Sequence, residues 1–484
     1  MTKPSLHQLC RVILAASVLA LGSQQLLAAT NYVTPGDSIQ TAVNNASSGD
    51  TLIIFGGTYT ESVTVDKYLN ILRLAGQSVF ITGSLTFSGI NANPATPLVI
   101  SNLKIGGDGS KRLYVNNCTN VTMNNLDLSL SGFSASSSSN IVVGNINCGP
   151  FDLGSCPYVL VNSSTLGYFS AYSCGNVIVA NSTLQRALMG TSTANFSRVT
   201  VNEQIDMNNN GYPSGALNLL QCTVTNSYVT LVGGFGRMLY STLQSANMVN
   251  ADSVILGNVF RFPQAWLNPG AIRLENGKAA VRNNEIGPIG NPGEGFYSFR
   301  VASGNNGVWI ANCEAKVVNN YMHDFAGTSY EGDDDRNGIY IPSATKKVEI
   351  VGNIFWGARR AVYGPFDNVV CRYNNHIAVA GDPAGGVITE GIISQDPLFI
   401  DRAAGNYQLA TNSPCRNAGP SEAWYNDRDS TRNDMGIFGG AAYDPDGKTT
   451  DKPITFLLQA SPLTVIKGIH TNLTFSGGGA VISK

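Results

Sequence analysis

Four carboxylates crowd into one short segment, Ser329-Tyr-Glu-Gly-Asp-Asp-Asp-Arg-Asn337: Glu331, Asp333, Asp334 and Asp335. Like charges this close disfavour one another's ionisation unless a cation or an arginine neutralises them. Calcium takes several oxygen ligands at once, so these four residues are the candidate Ca2+ ligands. A solvated acidic loop with surface ion pairs is the plainer alternative. Arg336 ends the segment, and Arg359 and Arg360 stand just before a later short strand. Aligning the two strands puts Arg336 over Arg359. His323, followed by Asp324, precedes the acidic loop and is a candidate base. Its plainer alternative is a structural loop histidine. The chemistry these groups suit is proton abstraction beside a neutralised carboxylate, with His323, Arg336, Arg359 and Asp334 as the catalytic candidates.

A second set of residues suits binding. Ile272-Arg-Leu274, Val308-Trp-Ile310, Ile339-Tyr-Ile341 and Val362-Tyr-Gly364 occupy equivalent places in successive repeats. In a strand the flanking residues point one way and the middle residue the other. Arg273, Trp309, Tyr340 and Tyr363 therefore form an outward ladder, one rung about 4.8 Å from the next. Aromatic faces beside a guanidinium such as Arg360 suit the apolar faces and hydroxyls of a sugar chain. Aromatics packed beneath long loops are the competing expectation.

The elements that position these residues come from a repeat. A short alternating strand is followed by Asn or Asn-Asn and another apolar residue, as in Val121-Thr-Met-Asn-Asn-Leu126 and Val348-Glu-Ile-Val-Gly-Asn-Ile354. The copies recur at the spacing of solenoid repeats. Asn tolerates the left-handed backbone of a tight corner, and stacked Asn side chains bond along the rungs. Ser38 to Val43 suits a short helix, and Gly49-Asp50-Thr-Leu-Ile-Ile54 follows it. Towards the other end stand Asp396-Pro-Leu-Phe-Ile-Asp401, Gly405-Asn-Tyr-Gln-Leu409 and Arg432-Asn-Asp-Met-Gly-Ile-Phe-Gly439.

These opening and closing segments resemble those of secreted bacterial proteins of the right-handed parallel β-helix (pectin-lyase-like) superfamily. The resemblance implies an all-β chain: a right-handed parallel β-helix with an N-terminal capping helix and a C-terminal closing segment. The sequence is expected to divide into a signal peptide (1–29), a β-helix with its caps (30–443) and a tail or extra strands (444–484). It is similar to pectate and alginate lyases in the chemistry it implies, β-elimination on a uronic-acid polymer with Lys, Arg, His or Tyr as base. Tyr340 joins the candidates on that ground. Gly332-Asp333-Asp334 resembles an element of polygalacturonases, which hydrolyse with paired carboxylates. Their Ser/Gly-His-Gly and Arg-Ile-Lys motifs are missing from this sequence. The superfamily hosts many functions. A glycan-binding or adhesive module without catalysis therefore stands beside the lyase and the hydrolase.

Composition agrees with an exported β protein. Of 484 residues, 13% are charged, 52 are Gly and the formal net charge is −2. That balance leaves no electrostatic footprint for nucleic acid. Lys3, Arg11, the apolar run Val12 to Leu21 and Leu27-Ala28-Ala29 read as a cleavable signal peptide. No later run is apolar enough to span a bilayer. Nine Cys are present, without the paired spacings of a zinc site. Cys148 and Cys156 are the close pair for which a bridge is expected, while the alternative is that Cys118, Cys174 and Cys222 stack inside the solenoid as small apolar residues. The partner these features imply is a polysaccharide, met by a monomer.

Overall fold

The computed structural model describes residues 28–190, 192–208, 215–262, 269–289, 306–325, 336–343, 346–365, 367–377, 379, 388–449, 454–461 and 474–480. Within these, short alternating runs become rungs. Asp252–Leu256 alternates between exposed and buried positions, and Val254 and Ile255 show why: one side chain faces out and the next faces the core. A typical turn has three strands, such as Ser245–Val249, Asp252–Leu256 and Val259–Phe262. Each pairs in parallel with its counterpart one turn later: Ala246 with Ile272, Ile255 with Val281, Val259 with Glu285. The second strands of the turns build a 17-stranded sheet, and the first and third strands a 27-stranded one. The protein is a parallel β-solenoid.

Inward side chains from all three faces fill one continuous core. Phe133, Phe151 and Phe169 stack on consecutive rungs, with ring centroids 4.6 and 5.6 Å apart. Burying each such ring contributes roughly 1.5–3 kcal/mol. The corner after each second strand needs a positive φ, and Asn125, Asn145, Asn181, Asn283 and Asn319 supply it. The next residue turns inward and forms a buried ladder, Asn258, Asn284, Asn320, Asn353 and Asn374. Each side-chain oxygen accepts the backbone N–H of the rung before it. Asn284 N donates to Asn320 Oδ1 at 3.0 Å, and Asn320 N to Asn353 Oδ1 at 2.9 Å. In earlier turns Ser164, Ser182 and Ser241 fill the same role with a hydroxyl.

The helix Ile39–Asn45 lies against the first turns, with Ile39 and Val43 buried in the core. The Ser38 hydroxyl accepts from Thr41 N at 3.2 Å, and the Glu61 carboxylate accepts from Ile39 N at 2.7 Å. Those contacts satisfy the free N–H groups of its first turn.

The expected Cys148–Cys156 bridge is not formed; among the described residues all eight cysteines are free and buried. Cys148 sits at an inward strand position, in register with Leu128 and Leu166. Cys156 lies past the intervening strand Phe151–Gly154, at a different place in the turn. The thiols behave as small apolar residues, and burial pushes Cys148 up to about 12.

After the last turn, residues 395–449 run back along the outside of the solenoid. Gln395 N donates to Asn375 Oδ1, Gly436 N to Gly352 O, Asn283 Nδ2 to Ile437 O and Gln221 Nε2 to Gly447 O. The segment's last contacts reach the earliest of these turns, at Tyr240 and Gln221. Further on, Ile454–Ser461 and Thr474–Ala480 pair antiparallel.

Candidate functional site

The ladder read from the sequence is in register. Arg273 pairs with Trp309, Trp309 with Tyr340, and Tyr340 with Tyr363. Their strands, Gly270–Glu275, Asn306–Ala311, Asn337–Ser343 and Arg360–Tyr363, are the first strands of successive turns. Flanking residues such as Ile272, Leu274, Val308 and Ile339 are buried, which fixes the four middle residues on the outer face. All four are half-buried. The Arg273 guanidinium lies 5.1 Å from the Trp309 ring centroid. Tyr340 and Tyr363 stack at 5.6 Å with an interplanar angle of 14°. Arg360 lies over Tyr363 at 4.2 Å. The strip is therefore aromatic in the middle with a cation at each end, and each cation–π contact contributes roughly 0.5–1 kcal/mol. Arg273 also pairs with Glu275, which holds its guanidinium in place.

Arg336 and Arg359 stand at the corners that lead into the strands of Tyr340 and Tyr363. Arg359 N donates to Arg336 O at 2.8 Å, and Asn337 is in register with Arg360. The two arginines are thus one rung apart, at the mouth of the aromatic strip. Glu331, Asp333, Asp334 and Asp335 lie outside the described residues. No cluster of three or more His, Cys, Asp or Glu side chains able to hold a metal occurs among the described residues.

His323 is placed elsewhere. It ends Tyr321–His323, the third strand of its turn, and is only 3% exposed. Its ring stacks on Tyr321 at 4.5 Å, and Tyr407 of the closing segment lies 5.6 Å away. Nδ1 is 2.9 Å from Asp324 Oδ2, and Nε2 is 3.5 Å from Glu285 Oε1. Asp324 in turn binds Arg402, whose Nε donates to the Tyr321 hydroxyl at 2.9 Å. His323 and Arg402 hold the Asp324 carboxyl below its ordinary range. The cluster stitches the closing segment to the third face, while the aromatic ladder lies on the first. The sequence brought His323 near the ladder by counting residues; it could not show that the closing segment covers it. His376 occupies an inward position in register with Phe355.

One feature of this face escaped the sequence reading. The ladder column continues towards the N-terminus through Asn247, Thr230 and Asp206. The signal was present in the alternation of Ile205–Met207 and Ser245–Val249, but only the register links those residues to Arg273.

No family model and no curated protein matches this chain. Solved structures do. The tailspike protein of E. coli bacteriophage HK620, in complex with a pentasaccharide, is 12% identical, with 79% of this chain and 74% of that chain covered and a TM-score of 0.30. An alginate lyase in complex with a trisaccharide is 12% identical, with 82% and 93% covered and a TM-score of 0.30. The receptor-binding protein of bacteriophage Det7 is 11% identical, with 77% and 78% covered and a TM-score of 0.30. At these levels the functional argument rests on the chain's own residues.

Proposed function

We propose that this protein is exported and, as a monomer, holds an acidic polysaccharide along Arg273, Trp309, Tyr340, Tyr363 and Arg360. The observation that carries this is the single outward column of aromatic rings with a guanidinium at each end. Rings on consecutive rungs offer flat apolar faces at a regular step of about 4.8 Å. Arginine at either end favours carboxylated sugars over neutral ones, because it binds carboxylate with two donors in one plane.

Cleavage by β-elimination is a second reading, favoured by the Arg336–Arg359 pair beside the strip. In that chemistry the arginines neutralise the uronate carboxylate, and a base removes the C5 proton. The electron pair forms the C4–C5 double bond as the glycosidic oxygen leaves C4 with a proton. Tyr340 is the candidate base on the strip itself. Glu331, Asp333, Asp334 and Asp335 are the candidate ligands for Ca2+, which would assist the same neutralisation. In a hydrolase Asp334 would act as one of two carboxyls instead.

The test is to incubate the mature protein with pectate, alginate and other polyuronates, with calcium or with a chelator. Ultraviolet absorbance from unsaturated ends supports elimination, and its loss with chelator supports the calcium loop. Reducing ends without absorbance favour hydrolysis. Binding without either product leaves a glycan-binding module. Failure to bind any polyuronate rules out the acidic-polymer reading.

A further inference from the structure

Three unsatisfied polar atoms lie in one column of the first face. Asp206 Oδ1, Asn247 Oδ1 and Arg273 Nε are buried and make no hydrogen bond. Register places Asp206 beside Thr230, Thr230 beside Asn247 and Asn247 beside Arg273. Thr230, between them, is 5% exposed. Leaving a buried polar atom unpaired costs roughly 1–3 kcal/mol, so three in a single column need a reason. Burial also raises the Asp206 carboxyl above the ordinary range, against the pull of Arg186.

We propose that Asp206, Thr230, Asn247 and Arg273 form a polar binding strip for the hydroxyls of a sugar chain that also occupies the aromatic ladder. This inference rests on the glycan-binding reading above and extends its site. Asp206, Asn247 and Arg273 each keep part of their surface open to solvent. The terminal torsions of Asp and Asn are soft, so their oxygens turn outward at little cost. Both oxygens accept from sugar hydroxyls, while Arg273 Nε donates. The hydroxyl-bearing edge of the sugars fits this strip, with their carboxylates turned away from Asp206. From Asp206 to Arg273 is three rungs, about 14 Å, and from Asp206 to Tyr363 six rungs, about 29 Å. The strip therefore engages only ligands long enough to pass beyond Arg273.

The experiment is calorimetric binding of short and long oligomers cut from a polymer that the wild-type protein binds. Asp206→Ala with Asn247→Ala is expected to weaken the long oligomer about tenfold and leave the short one unchanged. Trp309→Ala weakens both. The double variant is also expected to melt close to wild type, since the loss of the Asp206 attraction to Arg186 is offset by removal of two unpaired buried oxygens. Wild-type affinity of the double variant for the long oligomer overturns the strip while leaving the ladder intact. So does an equal loss at both lengths with unchanged melting. If Trp309→Ala changes neither length, the ladder reading fails instead.

Discussion

Trp309 and Tyr340 contribute little to the core, because their neighbours Val308, Ile310, Ile339 and Ile341 carry the inward packing. Replacing either aromatic with Ala should therefore leave the melting temperature close to wild type. Each loses one ring contact with ligand, roughly 0.5–1.5 kcal/mol, or about two- to tenfold in affinity. Titration calorimetry reads this directly, and unchanged affinity in both variants would mean that the ring faces serve packing alone. Asn320 is the opposite case. Its oxygen accepts from Asn284 N and Nδ2, and its amide donates to Val281 O, Val318 O and Asn353 Oδ1. Asn320→Ala strands several of these groups in a dry core. A loss of roughly 2–5 kcal/mol is expected in chemical denaturation, against roughly 1–2 kcal/mol for an exposed corner such as Asn145→Ala, where the cost is chiefly that of a left-handed backbone. The corner motif in the sequence pointed to both residues alike. Which Asn of a pair faces inward follows from the turn of the backbone, so the buried ladder became visible only in three dimensions.

The closing segment is an element held by polar contacts as much as by packing. Asp427 accepts from the backbone N–H groups of Asp434 and Gly440, and Asp434 accepts from Asn417 N at 2.6 Å. Arg432 Nε donates to Gly419 O at 2.7 Å. These carboxylates lock the backbone of the segment. Burial, with Asp434 nearby, raises Asp427 to about 6. A carboxyl raised on folding binds its proton more tightly in the folded state. Its favourable contribution is complete below its unfolded value, near 4, and is lost as pH rises through about 6. Wild type should therefore gain stability relative to Asp427→Asn as pH falls from about 7 to 4, followed by paired thermal melts. A difference that stays flat with pH, or grows as pH rises, would remove Asp427 as the titrating group. The strand alternation and the Asn corners were legible because local physics dictates them. The pairing of His323 with Glu285 and Asp324 under Tyr407 was not, because it joins segments far apart in sequence.

At the scale of the whole molecule, a solenoid is nearly one-dimensional: each turn touches its neighbours, and stability is approximately a sum of turn and interface terms. The closing segment breaks that locality. It buries Tyr321 and Ile354 beneath Tyr407, Cys415, Met435 and Ile437, and covers Leu220, Leu239 and Tyr240 with Tyr443. Buried large apolar side chains contribute roughly 1.5–3 kcal/mol each, so this strap stabilises the late turns by several such increments. Those turns carry the aromatic ladder and the insertions outside the described residues. The early turns, from Arg112 to Val201, stack without it. Ending the chain at residue 394 should therefore speed hydrogen exchange from about Leu220 to Tyr373 while turns such as Phe133–Phe151–Phe169 keep their protection. Ending it at residue 449 keeps every strap contact named above and should leave exchange in the late turns unchanged. Uniform loss of protection along the 394 variant would instead mean that the solenoid folds as one cooperative unit. The order of loss matters for binding too, because a ladder on loosened turns no longer holds its rings at a fixed step. Affinity for polysaccharide should fall in the 394 variant by more than in Trp309→Ala, with the polar strip from Asp206 to Asn247 losing register at its C-terminal end first.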